Sequence, residues 1–212
     1  MACSFPLFTD IQNAPVLIFG AGVLALDKIQ KLKPFSPCVT VFSPHVCDKI
    51  AQMGEAGELC IVRRSFAHAE ETVASLLPRL AIIADVDDSD ASLLFTLCRR
   101  YRLEVNTVDR QEYCTVIFPS TVTKKNLTVA VSTFGSFPTA AKKIREEIER
   151  SLPDALDEII DQLAELRARL NRQPGVKRSQ LRALYREAMD LAFAQNRILE
   201  ADQIEYLIGK YT

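Results

Sequence analysis

The residues with a chemical use in this 212-residue chain fall into three groups. The first is Gly20-Ala21-Gly22-Val23-Leu24-Ala25, a Gly-x-Gly-x-x-Ala stretch that follows Val16-Leu17-Ile18-Phe19 without a break. Gly20 suits a tight turn, Gly22 lets a phosphate approach the backbone, and Ala25 lets helix and strand pack closely. An anion bound there rests on the amide N–H groups that open the helix. The alternative is a glycine turn that holds nothing. The second group is acidic: Asp109, which follows Leu103-Glu104-Val105-Asn106-Thr107-Val108, and the cluster Asp85-Val86-Asp87-Asp88-Ser89-Asp90. A carboxylate at the end of a buried strand can accept a proton, or it can simply pair with the neighbouring Arg110. The cluster has the oxygens for a hard cation, but its place before a helix makes capping its expected role. The third group is six cysteines and two histidines. No two cysteines stand at Cys-x-x-Cys spacing, and His45 and His68 are far apart, so no metal ligands are expected. Cys3, Cys38, Cys47, Cys60, Cys98 and Cys114 read as reduced thiols of a cytoplasmic protein.

The elements that position these residues follow from periodicity. The uninterrupted apolar run before Gly20 predicts a strand buried on both faces of a parallel sheet. A helix is expected from Val23 to Lys33, ended by Pro34 and Pro37. Further strands are expected at Val39–Phe42, Leu59–Val62, Leu80–Ala84 and Leu103–Val108, with helices over 48–53, 70–77 and from the acidic cluster to Tyr101. This alternation predicts a Rossmann-like, doubly wound α/β domain whose ligand lies beyond the carboxyl ends of the strands. The rhythm then changes. Strands at Thr115–Ser120 and Leu127–Ser132 are too close for a crossover helix and predict a β-hairpin. A helix over 139–151 follows. Another is expected with Pro153 in its first turn and the stripe Leu152, Leu156, Ile159, Ile160, Leu163, Leu166 and Leu170. Asn171-Arg172-Gln173-Pro174-Gly175 breaks it, Ser179 is a candidate cap for the next helix, and a short helix carries Ile204, Leu207, Ile208 and Tyr211. The expected division is a Rossmann-like domain over 1–113, a dimerisation region over 114–150, and a helical domain over 151–212.

Composition narrows the function. The chain is 48% hydrophobic and 25% charged, with a formal net charge of -1. No global field attracts nucleic acid or an anionic membrane, and no apolar run is long enough to span a bilayer. The N-terminus lacks the pattern of a signal peptide.

Taken in order, the landmarks add up. They are Pro6-Leu7-Phe8, the stretch from Val16 to Lys28, Val39-Thr40-Val41 with Ser43-Pro44, Ile83-Ala84 with Asp87-Asp88, and Val105-Asn106-Thr107-Val108-Asp109. Ile117-Phe118-Pro119-Ser120, Leu127 to Thr133, Pro138 and Ile144 to Glu149 complete them. From about Pro6 to Pro153 the chain resembles the precorrin-2 dehydrogenase and sirohydrochlorin ferrochelatase family, stand-alone or as the N-terminal half of siroheme synthase. The resemblance implies NAD-dependent oxidation of precorrin-2 to sirohydrochlorin, with insertion of ferrous iron in some members, the iron being a substrate. It implies that Asp109 is catalytic and that Gly20, Gly22, Val23, Leu24, Ser43, Pro44, His45 and Asp85 line the cofactor site. Asn106, Ser132, Thr133 and Lys124 are the implied contacts to the tetrapyrrole, and a homodimer is the implied assembly. The chain departs from the family pattern in several places. Ala21 and Asp27 replace a glycine and a basic residue, Asp85 and Val86 stand where Ala and Thr are usual, and Ser43 stands where an NAD site usually has an acid. Three function classes stay open: the dehydrogenase, a tetrapyrrole-binding or chelatase protein without NAD oxidation, and a non-enzymatic Rossmann module.

Overall fold

Strands rich in apolar residues suit a sheet covered on both faces, and five strands align here. In the computed structural model, which describes residues 5–172 and 177–211, β1 (Pro15–Phe19), β2 (Cys38–Phe42), β3 (Cys60–Val62), β4 (Leu80–Ile83) and β5 (Glu104–Thr107) form one parallel sheet. Its order is β3-β2-β1-β4-β5, so the direction of winding reverses between β1 and β4. Helices α1 (Val23–Leu32), α2 (Asp48–Glu55), α3 (Ala69–Leu76) and α4 (Asp88–Arg100) connect the strands. Alternate strand residues feed two cores. Val16, Ile18, Val41 and Ile82 pack with Ala25 and Ile29 of α1 and Ile50 of α2. Leu17, Phe19, Phe42, Ile83 and Val105 pack with Val73 of α3 and Leu94 of α4. This is the expected doubly wound α/β arrangement.

The carboxyl ends of the inner strands are flush. Phe42 pairs with Phe19, Phe19 with Ile83, and Ile83 with Thr107. Every loop on this edge therefore starts at the same level, with Gly20, Ser43, Ala84 and Val108 each one residue beyond that row.

The chain divides into two compact units, Met1–Phe118 and Pro119–Thr212. In the second, the hairpin strands are β6 (Ser120–Thr123) and β7 (Thr128–Val131). The first hairpin strand was expected at Thr115–Ser120. Instead, the Thr115 and Val116 N–H groups both donate to the Val105 carbonyl at 2.8 and 3.1 Å, so this stretch belongs to the edge of the Rossmann-like unit. Phe118 is packed on that unit's core under the Lys28 ammonium. Helix α5 (Pro138–Ser151) lies on the hairpin, with Ala141 and Val122 buried.

Helices α6 (Leu156–Leu170), α7 (Arg178–Gln195) and α8 (Ala201–Tyr211) share a core of Ile159, Leu166, Leu170, Leu184, Ala188 and Leu207. Pro153 precedes α6 rather than sitting in its first turn; its carbonyl accepts the Leu156 N–H at 3.2 Å. Ser179 is inside the first turn of α7, not its cap. Lys177 takes that place, and its N–H donates to the Gln180 side chain at 3.2 Å. α6 ends at Leu170, where the expected break begins with Asn171 and Arg172; Cys3 and the rest of that break, 173–175, lie outside the described residues. Among the described residues, no helix is long and apolar enough to cross a membrane.

Candidate active site

The glycine turn connects β1 to α1, beside the point where the winding reverses. Gly20 has φ +88°, and a Cβ there would lie 1.7 Å from the Ala84 carbonyl oxygen, so no other residue fits. The first turn of a helix leaves its amides without backbone partners. Here three of these donors converge on one carboxylate. Gly22 N–H and Ala25 N–H donate to Asp85 Oδ2 at 3.0 and 2.8 Å, and Leu24 N–H donates to Asp85 Oδ1 at 3.2 Å. A Cβ on Gly22 would lie 2.6 Å from the Asp85 carboxyl carbon. The Asp85 carboxylate thus takes the place at a helix start where an anion is favoured. The side chains of Val23 and Leu24 are exposed, so this edge of the site is backbone.

The end of β2 closes against the same loop, because the Cys47 N–H donates to the Ala21 carbonyl at 3.0 Å. Ser43 is buried, and its hydroxyl donates to the His45 carbonyl at 2.6 Å, while Pro44 and His45 are exposed. Ser43 therefore shapes the turn that a ribose would meet.

Two aspartates take corresponding positions on neighbouring strands. Asp85 is two residues beyond Ile83 on β4, and Asp109 is two residues beyond Thr107 on β5, the register partner of Ile83. Both are left-handed, with φ 53° and 60°, a conformation that Asp and Asn tolerate better than most residues. The Asp109 carboxylate is exposed and makes no hydrogen bond or ion pair with any described residue. Arg110 points elsewhere. Its guanidinium donates to Asp88 at 2.7 Å and to the Val86 carbonyl at 3.2 Å.

The loop that carries Asp109 is clipped at its base. Thr107 Oγ1 donates to the Tyr113 carbonyl at 2.7 Å, Thr107 N–H donates to Cys114 Sγ at 3.2 Å, and Asn106 Nδ2 donates to the Val116 carbonyl at 2.9 Å. Asn106 is buried, so its amide serves this loop. Burial pushes the Cys114 thiol above its ordinary pKa, which keeps it protonated. Sequence reasoning missed Cys114 and Thr107, because only their juxtaposition reveals the clip.

In the acidic cluster, Asp87 caps α4. Its Oδ1 accepts the Asp90 N–H and the Ser89 hydroxyl, both at 2.8 Å, and these bonds hold its carboxyl below the usual carboxylate range. Among the described residues no group of three or more His, Cys, Asp or Glu is arranged to hold a metal ion.

Lys124, Ser132 and Thr133 belong to the second unit. The Lys124 N–H closes the hairpin on the Leu127 carbonyl at 2.8 Å, leaving its side chain exposed. Ser132 Oγ accepts the Phe134 N–H at 3.0 Å and Thr133 Oγ1 accepts the Phe137 N–H at 3.3 Å, so both hydroxyls shape the loop into α5. Gly20 to Ala25, Ser43 to His45, Asp85 and Asp109 share one sheet edge.

This arrangement has relatives. Residues 7–120 match a family model described as putative NAD(P)-binding. A siroheme synthase of Pseudoalteromonas translucida is 31% identical over 148 residues, 70% of this chain and 30% of that protein. A siroheme synthase of Sodalis glossinidius is 34% identical over 152 residues, 71% of this chain and 31% of that protein. The chain thus spans about a third of the length of these curated relatives. Among solved structures, "SirC, precorrin-2 dehydrogenase" superposes with a TM-score of 0.70 over 98% of both chains at 19% identity, a likeness of fold.

Proposed function

We propose, on the premise that the chain belongs to the putative NAD(P)-binding family over residues 7–120, that it oxidises precorrin-2 to sirohydrochlorin with NAD, in siroheme biosynthesis. The names of its siroheme synthase relatives support this choice of substrate. The observation that carries the reading is the exposed Asp109 carboxylate, without a partner among the described residues, in the loop after the strand next to β4. The N–H groups of Gly22, Leu24 and Ala25 would hold the pyrophosphate, and the turn from Ser43 to His45 would meet the ribose. NAD supplies the acceptor for the hydride that leaves the macrocycle. The same oxidation releases one proton. Asp109 stands two strands from β1, about 10 Å along the sheet at ordinary strand spacing, where the far end of a dinucleotide extends. Its role is to take that proton.

The test is anaerobic incubation of the protein with precorrin-2 and NAD, followed by absorption. Sirohydrochlorin and NADH should appear together. A folded protein that forms neither overturns the reading. A second reading, tetrapyrrole binding or insertion of ferrous iron as substrate without NAD oxidation, is favoured by Asp85 standing on the loop's amides. Sirohydrochlorin supplied with ferrous iron tests it. We assign self-association as a homodimer to the 114–150 region, chiefly the hairpin and α5, where Phe137 and Ile144 are exposed; sedimentation at micromolar concentration should give a dimer. We assign the protein to the cytoplasm, a reading supported by its cysteine usage and by the proposed NAD dependence.

A further inference from the structure

We propose that Asp85 is a displaceable internal occupant of the pyrophosphate position, so that this residue sets the protein's affinity for the dinucleotide. The inference rests on the NAD reading and deepens it. Two anions compete for one set of donors. The Asp85 carboxylate already takes the N–H groups of Gly22, Leu24 and Ala25, and its carboxyl carbon lies 2.6 Å from where a Gly22 Cβ would be. A pyrophosphate approaching Gly22 meets that carboxylate in the same space and with the same sign of charge.

The occupant is able to leave. Asp85 is exposed, in the short connection between β4 and α4. Among the described residues, nothing other than the three amides binds its carboxylate. The segment around it is fixed separately: Arg110 binds the Val86 carbonyl at 3.2 Å, and Asp87 caps α4. A side-chain rotation carries the carboxylate into water and frees the donors without moving either neighbour. Binding then becomes an exchange. The apparent affinity is then the intrinsic one scaled down by the fraction of free molecules in which Asp85 has vacated the loop.

The experiment compares the full chain with Asp85→Gly and Asp85→Asn. Both replacements tolerate the left-handed backbone at φ 53°, whereas alanine would be strained there. Isothermal titration with NAD should show Asp85→Gly binding roughly 10- to 100-fold more tightly than the parent, with Asp85→Asn between them. Inorganic pyrophosphate should raise the melting temperature of Asp85→Gly more than that of the parent. Without ligand, Asp85→Gly should melt lower, because α1 has lost the anion at its N-terminus. Equal NAD affinity in all three proteins overturns the inference and leaves the NAD reading standing. Folded variants that bind no NAD, alongside a parent that binds none, overturn both. A third measurement needs no variant. In the parent, saturating NAD should shift the Asp85 side-chain carboxyl carbon resonance to that of a solvated aspartate. NAD binding with that resonance unmoved overturns the inference.

Discussion

Replacing Asp109 by asparagine separates chemistry from stability, because among the described residues the carboxylate has no partner to lose. Asparagine keeps the size of the side chain and its tolerance of φ 60°, but cannot accept the proton. Loss of a general base costs about 10²–10⁴-fold in rate, equivalent to about 2.7–5.5 kcal/mol of transition-state stabilisation. The melting temperature should not move, since no hydrogen bond or ion pair goes with the charge. Asp109→Ala is the control for the backbone. It removes the base equally but places a Cβ-bearing residue without a polar side chain in the left-handed region, at a cost of roughly 1 kcal/mol, or about 2–4 °C in a chain of this size. The assay measures precorrin-2 oxidation and thermal unfolding on the same preparations. Near-parental turnover of Asp109→Asn refutes the assignment of the base. Equal melting temperatures for the alanine and asparagine variants refute the backbone argument.

Two other expectations follow from the same geometry. Asp87→Ala should lower the melting temperature and Asp87→Asn should largely preserve it, because asparagine also caps a helix; with the folded carboxyl held below its unfolded range, the parent's advantage should be full above that range and fade as pH falls through the folded value, which melting curves across acid pH will follow. Cys98 is buried, with its thiol pushed up to about 12, whereas Cys38 and Cys60 are exposed; alkylation of the native protein at mildly alkaline pH, read by mass spectrometry, should spare Cys98 and label the other two.

The sheet was legible because most of its strands are rich in apolar residues between turn-forming residues and the flanking helices repeat at helical spacing; β5, Glu104-Val105-Asn106-Thr107, keeps the rhythm with two buried polar residues. Capping of α4 was legible too, since acids before a helix have few other uses. The hairpin was misplaced for a physical reason. Ile117 and Phe118 have the composition of strand residues, yet the hydrogen bonds of Thr115 and Val116 go to Val105, so tertiary packing overrides local preference. The grip of Asp85 on α1 was not legible. An acid after β4 is visible in the sequence, but its left-handed backbone and the direction of its side chain emerge only when β1 and β4 lie side by side. The signal that was available is an acidic residue next to the turn where a phosphate is expected. Ser179 misled because Lys177, with no acceptor in its side chain, can still begin a helix when Gln180 accepts its N–H.

The clip beneath Asp109 has a consequence for ionic strength. The bonds from Thr107 to Tyr113 and Cys114, and from Asn106 to Val116, join neutral groups. Counterions screen attractions between exposed charges and leave such bonds nearly untouched. The ion pair nearby among the described residues, Arg110 with Asp88, has an almost fully exposed acid and contributes little. The loop that presents Asp109 therefore keeps its shape from dilute buffer to concentrated salt. A salt dependence in the proposed oxidation then reports how the substrate is met on arrival, not how well the protein holds the proposed base.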